Sequence, residues 1–431
     1  MILNFTVQNF GPIKERQVLS FEADKSTHLE DAYVTQIDGQ RILKMALIYG
    51  ANASGKTTVL QALDFLRDTV INPKDKKTDK LMFSPFLFDE NSPNENTLLS
   101  IEFYQNKTKY LYEVELSQRA IVSEELYFYS PNKANVFKRT TNLESQFTEI
   151  TFGSKITKDK TFEKTLASNT LWNNTVLGGY LKTNIEFKEL QEVVDWFTNY
   201  LRPMVYTNTN LESFVTKNID EGKITKEAVI SILKKADFNI SDIVIKKREE
   251  SIPNSLRNLF VHGIEASNIT LEEAKKGKIS VVNLEFEHEV DNNKYALPLE
   301  SESHGTRRYY GFAGLLAHLL SHPSVVPIDE LESSLHPDLY VHFFLSFLLN
   351  ANQSQIIATT HNREIFDNKD IFRNDAIWFT DKDEHSATEL YSLADFDSSV
   401  VRNTTNILNA YKSGKLSGTP NLGDTYIDLE L

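Results

Sequence analysis

The sequence predicts an α/β fold in which helices cover a mixed sheet and a mainly helical subdomain is inserted between the two parts of that sheet. Strand-like and helix-like patterns alternate near both ends of the 431-residue chain, as expected for largely parallel strands covered by helices. Residues 98–129 hold three alternating runs, which predict an antiparallel meander. Residues 131–280 are instead rich in Asn, Thr and Lys, with helical patterns between polar loops. We therefore expect three parts, at residues 1–130, 131–280 and 281–431.

The elements of the first and third parts follow in order along the chain. Alternating runs at residues 2–7 and 18–21 flank a turn and predict a β-hairpin. An apolar run at 44–49 predicts a buried strand, and apolar residues at helical spacing over 59–66 predict a helix directly after it. In the third part, strands are predicted at 281–286, 325–328, 356–360 and 376–379, and helices at 309–320 and 340–349.

Composition and charge exclude several classes of protein. The chain has no cysteine, so disulfide scaffolds, thiolate zinc sites, iron–sulfur clusters and cysteine nucleophiles are excluded. Its apolar runs fall far short of the ~20 residues that span a bilayer, and its first residues show no signal-peptide pattern. We expect a cytoplasmic protein without a membrane partner. With 46 basic and 60 acidic residues the net charge is −14, which disfavours non-specific binding to nucleic acid.

Residues 50–57 match the pattern G-x-x-x-x-G-K-[ST] in every position, between a predicted strand and a predicted helix. Its glycines let backbone N–H groups converge on phosphates, and the start of the helix adds a positive field. We expect Lys56 to reach the β- and γ-phosphates and the Thr57 hydroxyl to bind Mg²⁺. The predicted cofactors are therefore Mg²⁺ and a nucleotide, and a GTPase is disfavoured because the chain lacks an Asn-Lys-x-Asp motif for guanine. The predicted nucleotide contacts in this loop are Gly50, Asn52, Ala53, Ser54, Gly55, Lys56, Thr57 and Thr58.

Polar residues also end two other predicted strands. Asp329 and Glu330 close the run 325–328, so we expect Asp329 to bind Mg²⁺ and Glu330 to act as the general base on the attacking water. Pro327 lies within that run and is expected to distort the strand. His361 closes the next strand, where it can contact the γ-phosphate. Glu330 and His361 are the predicted catalytic residues.

A second anion site is predicted at Ser303-His304-Gly305, because a free hydroxyl and free N–H groups begin the next helix there. One phosphate-binding loop needs no second phosphate site in its own subunit. Ser303 and Gly305 are therefore expected to contact a nucleotide held by another subunit.

In this order, these motifs resemble those of the ATP-binding-cassette ATPases, P-loop enzymes, and especially their SMC/RecF-like branch. The opening residues 5–12 are similar to the first strand and Asn-Phe turn of that branch. The phrase at 328–337 and the tail at 411–416 with Pro420 resemble the stand-alone ATPases of bacterial abortive-infection (anti-phage) systems. The resemblance covers residues 1–130 and 281–420.

This resemblance implies a homodimer that sandwiches ATP and Mg²⁺ and hydrolyses ATP. Ser303 and Gly305 match the signature loop that contacts the γ-phosphate across the dimer. Asp329 and Glu330 match the second magnesium contact and the general base, and His361 matches the switch histidine. The residues that fall in the D-loop at the dimer seam are Ser334, Leu335 and His336.

Two departures from the family pattern suggest slow hydrolysis. His304 replaces a small or acidic residue in the signature. The magnesium-binding glutamine of the family has only poor candidates, Gln105 and Gln118. Two pairs that superficially suggest metal sites, Asp381 with Asp383 and His318 with His322, are interpreted as a solvated turn and a helix face.

The predicted function is a dimeric ATPase switch of an anti-phage system that senses a trigger and controls a separate effector, a nuclease. Residues 131–280 are expected to carry partner specificity. A higher oligomer and a nucleic-acid partner stay open. The alternative is a RecF/SMC-like DNA-repair ATPase that binds DNA. A transporter subunit is disfavoured by the long stretch between Lys56 and Ser303.

Overall fold

The protein is described from a computed structural model, which describes residues 1–156, 160–251, 278–396, 407–416 and 418–419. Contacts divide the chain into two compact units. Unit 1 comprises Met1–Thr209, His322–Ser333 and Phe344–Leu431. Unit 2 comprises Asn210–Ser321 and Ser334–Phe343.

Strands and helices follow one another along the described residues, in places as runs of several strands or several helices. As far as residue 209 the elements are β1 (Ile2–Gln8), β2 (Gln17–Ser20), α1 (Glu30–Tyr33), β3 (Val34–Ile37), β4 (Gln40–Leu43), β5 (Met45–Gly50), α2 (Lys56–Ile71), β6 (Thr97–Gln105), β7 (Thr108–Leu116), β8 (Ile121–Tyr129), β9 (Lys133–Asn142), β10 (Phe147–Phe152), α3 (Lys160–Asn169), α4 (Val176–Tyr180) and α5 (Lys188–Asp195). A π turn follows at Trp196–Tyr200.

The later elements are α6 (Leu211–Asp220), α7 (Lys226–Lys235), β11 (Asp242–Ser251), β12 (Lys278–Val290), β13 (Asn293–Pro298), α8 (His304–Ser321), β14 (Val325–Ile328), α9 (Pro337–Asn350), β15 (Gln355–Thr359), β16 (Ile377–Lys382), β17 (Thr388–Ser392) and α10 (Ile407–Lys412). Short 3-10 turns lie at Ser92–Asn94, Leu299–Ser301, Glu364–Asp367, Lys369–Ile371, Asn374–Ala376 and Leu393–Asp395. Among the described residues, none of the helices is long and apolar enough to cross a bilayer.

A five-stranded sheet in unit 1 positions the candidate site. Its order is β14-β15-β5-β16-β17, and the first four strands are parallel while β17 is antiparallel to β16. All residues of β5 are buried, as expected for a central parallel strand covered on both faces. Parallel strands end at the same edge of a sheet, so the residues after β5, β14 and β15 meet there. The predicted mixed α/β fold is confirmed.

A second, seven-stranded sheet has the order β10-β9-β8-β7-β6-β1-β2 and antiparallel neighbours throughout. It confirms the predicted hairpin β1–β2 and the predicted meander β6–β8. The strand β9 extends this meander by pairing with β8, whose outer edge would otherwise leave its hydrogen-bonding groups unpaired, and β10 pairs in turn with β9.

The structure divides the chain at positions other than those predicted for the insertion. Residues 131–209 lie in unit 1, because β9 and β10 continue its large sheet. Unit 2 starts at Asn210 and includes the predicted signature loop. Helices do dominate residues 160–235, as expected, but β11 is a strand, and residues 252–277 lie outside the described part of the chain.

Unit 2 packs helices on a three-stranded antiparallel sheet of the order β11-β12-β13. The predicted strand 281–286 belongs to this sheet, within β12, rather than to the parallel one. On α8 two glycines bring α6 close. A Cβ added to Gly311 would lie 2.6 Å from the Leu211 Cβ, and one added to Gly314 would lie 2.7 Å from the Val215 Cβ.

The prediction that Pro327 distorts its strand is wrong. Pro327 pairs with Ile357 of β15 without a shift of register. On the other side of β14, an edge strand, its carbonyl accepts a hydrogen bond from the Val205 amide at 2.9 Å. The N–H and C=O of one residue point to the same side of a strand. The N–H that proline lacks therefore belongs to the outer side, and its loss costs no bond to β15.

Candidate functional site

The predicted phosphate-binding loop connects β5 to α2 and is shaped by glycines. Gly55 has a φ of 102°, in the left-handed region, and Ala53 has a φ of 63°. A Cβ on Gly50 would lie 2.6 Å from the Thr380 carbonyl oxygen, and one on Gly55 would lie 2.7 Å from the Thr388 Cγ2. Both glycines are thus required by close neighbours as well as by the turn.

Two threonines of neighbouring strands hold this loop. The Thr380 hydroxyl of β16 lies 2.6 Å from the Ser54 hydroxyl, and the Thr388 hydroxyl of β17 donates to the Ser54 carbonyl at 2.9 Å. Sequence reasoning missed both residues, because no local motif marks them. Asn52 and Ala53 are exposed at the tip of the loop, and Thr58 lies in the first turn of α2.

Lys56 lies inside the loop that precedes it. Its ammonium group donates to the carbonyls of Gly50 at 2.9 Å and Ala51 at 3.0 Å. Burial lowers the pKa of Lys56, and the nearby carboxylates of Asp329 and Glu330 oppose that shift. The ammonium group of Lys56 therefore lies within the loop, close to both carboxylates.

Asp329 and Glu330 follow β14 and meet the start of α2. The Asp329 Oδ1 accepts hydrogen bonds from the Thr57 hydroxyl at 2.9 Å and from the Thr359 hydroxyl at 2.6 Å. The Thr359 oxygen in turn accepts from the Glu330 amide at 2.8 Å. Glu330 itself has a φ of 47°. A hydroxyl and a carboxylate oxygen side by side are hard donors that suit Mg²⁺.

Thr359 is a site residue that sequence reasoning missed. It ends β15, the strand between β14 and β5, and it is fully buried. Its hydroxyl bonds the Asp329 side chain and the Glu330 backbone together, so it orients both acids. The sequence offered only a partial indication of Thr359, because it is a hydroxyl residue at the end of a predicted buried strand shortly before His361.

His361 lies after β15, as predicted. Its amide donates to the Glu332 Oε1 at 2.5 Å, which attaches the residue to the segment that carries the acids. Burial, and next the positive charge of Lys56, lower the pKa of His361, while Glu332 and Glu330 oppose them. The structure thus brings His361 into the same electrostatic environment as Lys56 and Glu330.

The predicted signature loop lies in unit 2. The Ser303 hydroxyl accepts a hydrogen bond from the Thr306 amide at 3.0 Å and so caps α8. Ser303 and His304 are exposed. A Cβ on Gly305 would lie 3.7 Å from the carbonyl oxygen of Ser334, a residue of the predicted D-loop with a φ of 64°.

The minor candidates have other partners. The Gln118 amide group donates to the Phe83 carbonyl at 2.8 Å, and Gln105 pairs with Thr108 across the β6–β7 turn. The Asp381 carboxylate accepts from the Gly418 amide at 3.2 Å. The His318 ring packs edge-on against a phenylalanine of α6. Across the described residues there is no group of three or more metal-binding side chains.

Comparisons with known proteins give one matching family and two similar solved structures. A family model described as "AAA domain, putative AbiEii toxin, Type IV TA system" matches residues 45–367, which include the loop, the acids and His361. No curated protein matches the chain. The chain is similar to the SMC head domain from Thermotoga maritima, at 13% identity and a TM-score of 0.39, over 91% of this chain and 98% of that chain. It is similar to the SmcHead bound to the C-winged helix domain of ScpA, at 14% identity and a TM-score of 0.41, over 91% of this chain and 97% of that chain.

Proposed function

The chain belongs to this family of AAA domains, and on that premise we propose that it is a Mg²⁺-dependent ATPase acting as a dimeric switch in bacterial defence against phage. The membership confirms the predicted recognition of a P-loop ATPase related to abortive-infection proteins. The hydrolysis, the dimer and the control of an effector are parts of the proposal.

One observation carries the ATPase proposal: Lys56, Thr57, Asp329 and Glu330 meet at one edge of the parallel sheet. Lys56 and the N–H groups of the loop would bind the phosphates. Thr57 and Asp329 would hold Mg²⁺, which when bound offsets the charge of the phosphates. Glu330 would accept the proton of the attacking water. The Thr359 hydroxyl would keep Glu330 in place through its bond to the Glu330 amide.

The test of this proposal is the variant Glu330→Gln. The amide keeps the size of the side chain but cannot accept a proton, so ATP should bind as in the wild type while hydrolysis slows roughly 10²–10⁴-fold. In the presence of ATP and Mg²⁺ the variant should accumulate as a dimer, measured by light scattering. Turnover equal to that of the wild type would show that another residue activates the water.

The dimer proposal is supported by the exposed signature loop. Ser303 is exposed at the start of an 18-residue helix, with Gly305 beside it. In a two-fold assembly each such loop would complete the nucleotide site of the partner. Closure would follow ATP binding, because the nucleotide would contact both subunits only in the closed state.

The effector and the trigger are proposed from the family description, which names a toxin of a toxin–antitoxin system. We propose that the ATPase restrains or releases a separate nuclease, and that residues within 131–280 supply partner specificity. Co-purification with the product of a neighbouring gene would test it, with Glu330→Gln as the ATP-bound form. If DNA instead stimulated the ATPase severalfold and no partner co-purified, the DNA-repair alternative would replace this proposal.

A further inference from the structure

We propose that residues 411–416 together with Gly418 position the phosphate-binding loop, with Tyr411 as their anchor, so that nucleotide binding and the order of these residues depend on each other. The sequence motif at 411–416 has no role in the site described above. The inference rests on the proposed nucleotide binding and adds a positioning residue far from the loop in sequence.

Gly418 packs directly against the first residue of the loop. A Cβ added to Gly418 would lie 3.5 Å from the Gly50 Cα and 3.6 Å from the Thr380 carbonyl oxygen. The φ of Gly418 is 65°, in the left-handed region that favours glycine. Thr380 also bonds Ser54, so Gly418 touches both the loop and the residue that holds it.

Hydrogen bonds hold Gly418 from two sides. Its amide donates to the Asp381 carboxylate at 3.2 Å, and its carbonyl accepts from the Tyr411 hydroxyl at 3.0 Å. Burial raises the pKa of the Tyr411 phenol, so the hydroxyl keeps its proton and donates at neutral pH. The Tyr391 hydroxyl donates to the Leu416 carbonyl at 3.1 Å and adds a further attachment.

The Tyr411 ring lies near both the start of the loop and the segment that follows His361. Its centroid lies 6.2 Å from that of Tyr49, the residue before Gly50, and 5.6 Å from that of Phe379 on β16. The Arg363 guanidinium lies 5.2 Å above the same ring, two residues after His361. Helix α10 also borders a cavity of 340 Å³ together with His361. Tyr411 thus packs against the residue before the loop and against Arg363, two residues after the predicted switch histidine.

These contacts bear on nucleotide affinity through the backbone. The loop holds Ala53 and Gly55 at positive φ, a shape that must be kept before its N–H groups can converge on phosphates. A neighbour that keeps Gly50 in place lowers the cost of ordering the loop on binding. Because coupling between two sites is reciprocal, bound nucleotide must stabilise the segment in return.

The experiment compares Tyr411→Phe with Tyr33→Phe. Both variants keep the ring and lose one hydroxyl bond to a backbone carbonyl, to Gly418 in the first and to Ile371 in the second. The dissociation constant of a non-hydrolysable ATP analogue should rise about threefold to tenfold in Tyr411→Phe and stay at the wild-type value in Tyr33→Phe. In the wild type the analogue should also slow amide hydrogen exchange over residues 407–416.

Each result decides the question. Equal affinity in the wild type and Tyr411→Phe, or exchange over 407–416 that ignores the analogue, would overturn this inference and leave the proposed function intact. Failure of the wild type to bind the analogue would overturn both. If Tyr411→Phe does not fold, Gly418→Ala replaces it, because its Cβ meets only van der Waals contacts while the positive φ disfavours alanine. Wild-type affinity in Gly418→Ala would then refute the inference.

Discussion

Replacing Thr359 by valine tests whether one buried hydroxyl orients both Asp329 and Glu330. Valine keeps the β-branched shape that a strand favours and removes only the oxygen. Two hydrogen bonds disappear: the 2.6 Å bond to the Asp329 carboxylate and the 2.8 Å bond from the Glu330 amide. Thr359 is fully buried, so water cannot enter its place without disturbing the sheet.

The expected magnitude follows from these two bonds. A hydrogen bond to a charged acceptor contributes about 1.5–3 kcal/mol, and an unpaired N–H at this place costs about 1–3 kcal/mol. Burying a methyl group in place of the hydroxyl returns about 0.8 kcal/mol. The free energy of unfolding should therefore fall by roughly 2–5 kcal/mol. Since Glu330 also loses the bond that holds its backbone, kcat should fall about tenfold to a hundredfold.

The assay measures kcat and the midpoint of urea unfolding for Thr359→Val beside Thr360→Val. Thr360 is the next residue and equally buried, but among the described residues its hydroxyl bonds the Asn362 amide, at 3.0 Å, and neither acid. The control should lose about 1 kcal/mol of stability and little activity. A kcat of Thr359→Val equal to that of Thr360→Val would refute the role given to Thr359.

Two further predictions concern the dimer and His361. Lys56→Ala and Ser303→Glu should each be inactive alone. Their equal mixture should recover about a quarter of the wild-type rate, because half of the dimers then hold one variant of each kind and one of their two sites is intact. No recovery would show that the Ser303 loop does not complete the site of the partner subunit. Because burial and Lys56 lower the pKa of His361, the unfolded chain takes up a proton first as the pH falls through 6.5, and stability is lost on the acid side. Between about pH 7.5 and about pH 5.5 the urea midpoint should therefore fall more in the wild type than in His361→Gln, and equal losses would contradict the lowered pKa.

The strand–loop–helix geometry of the predicted phosphate-binding loop could be predicted from the sequence because it lies in contiguous residues. The glycines, Lys56 and Thr57 act through backbone shape and through side chains of one turn, all of which the local sequence sets. The same holds for Asp329-Glu330 after an apolar run. To place the loop beside the acids, it was then enough that parallel strands end at one edge of the sheet.

Only the tertiary structure decided which distant residues support that loop. Thr359 reaches the acids and Thr380 reaches the loop because the strand order puts β15 and β16 on either side of β5, and Gly418 is held there through Asp381 of β16; no local pattern encodes that order. Residues 131–152 joined the large sheet for a similar reason, since an edge strand pairs with whatever strand the fold brings to it. A motif is encoded in neighbouring residues, whereas its support depends on long-range pairing, so the sequence alone determined the chemistry and the fold determined what holds it in place.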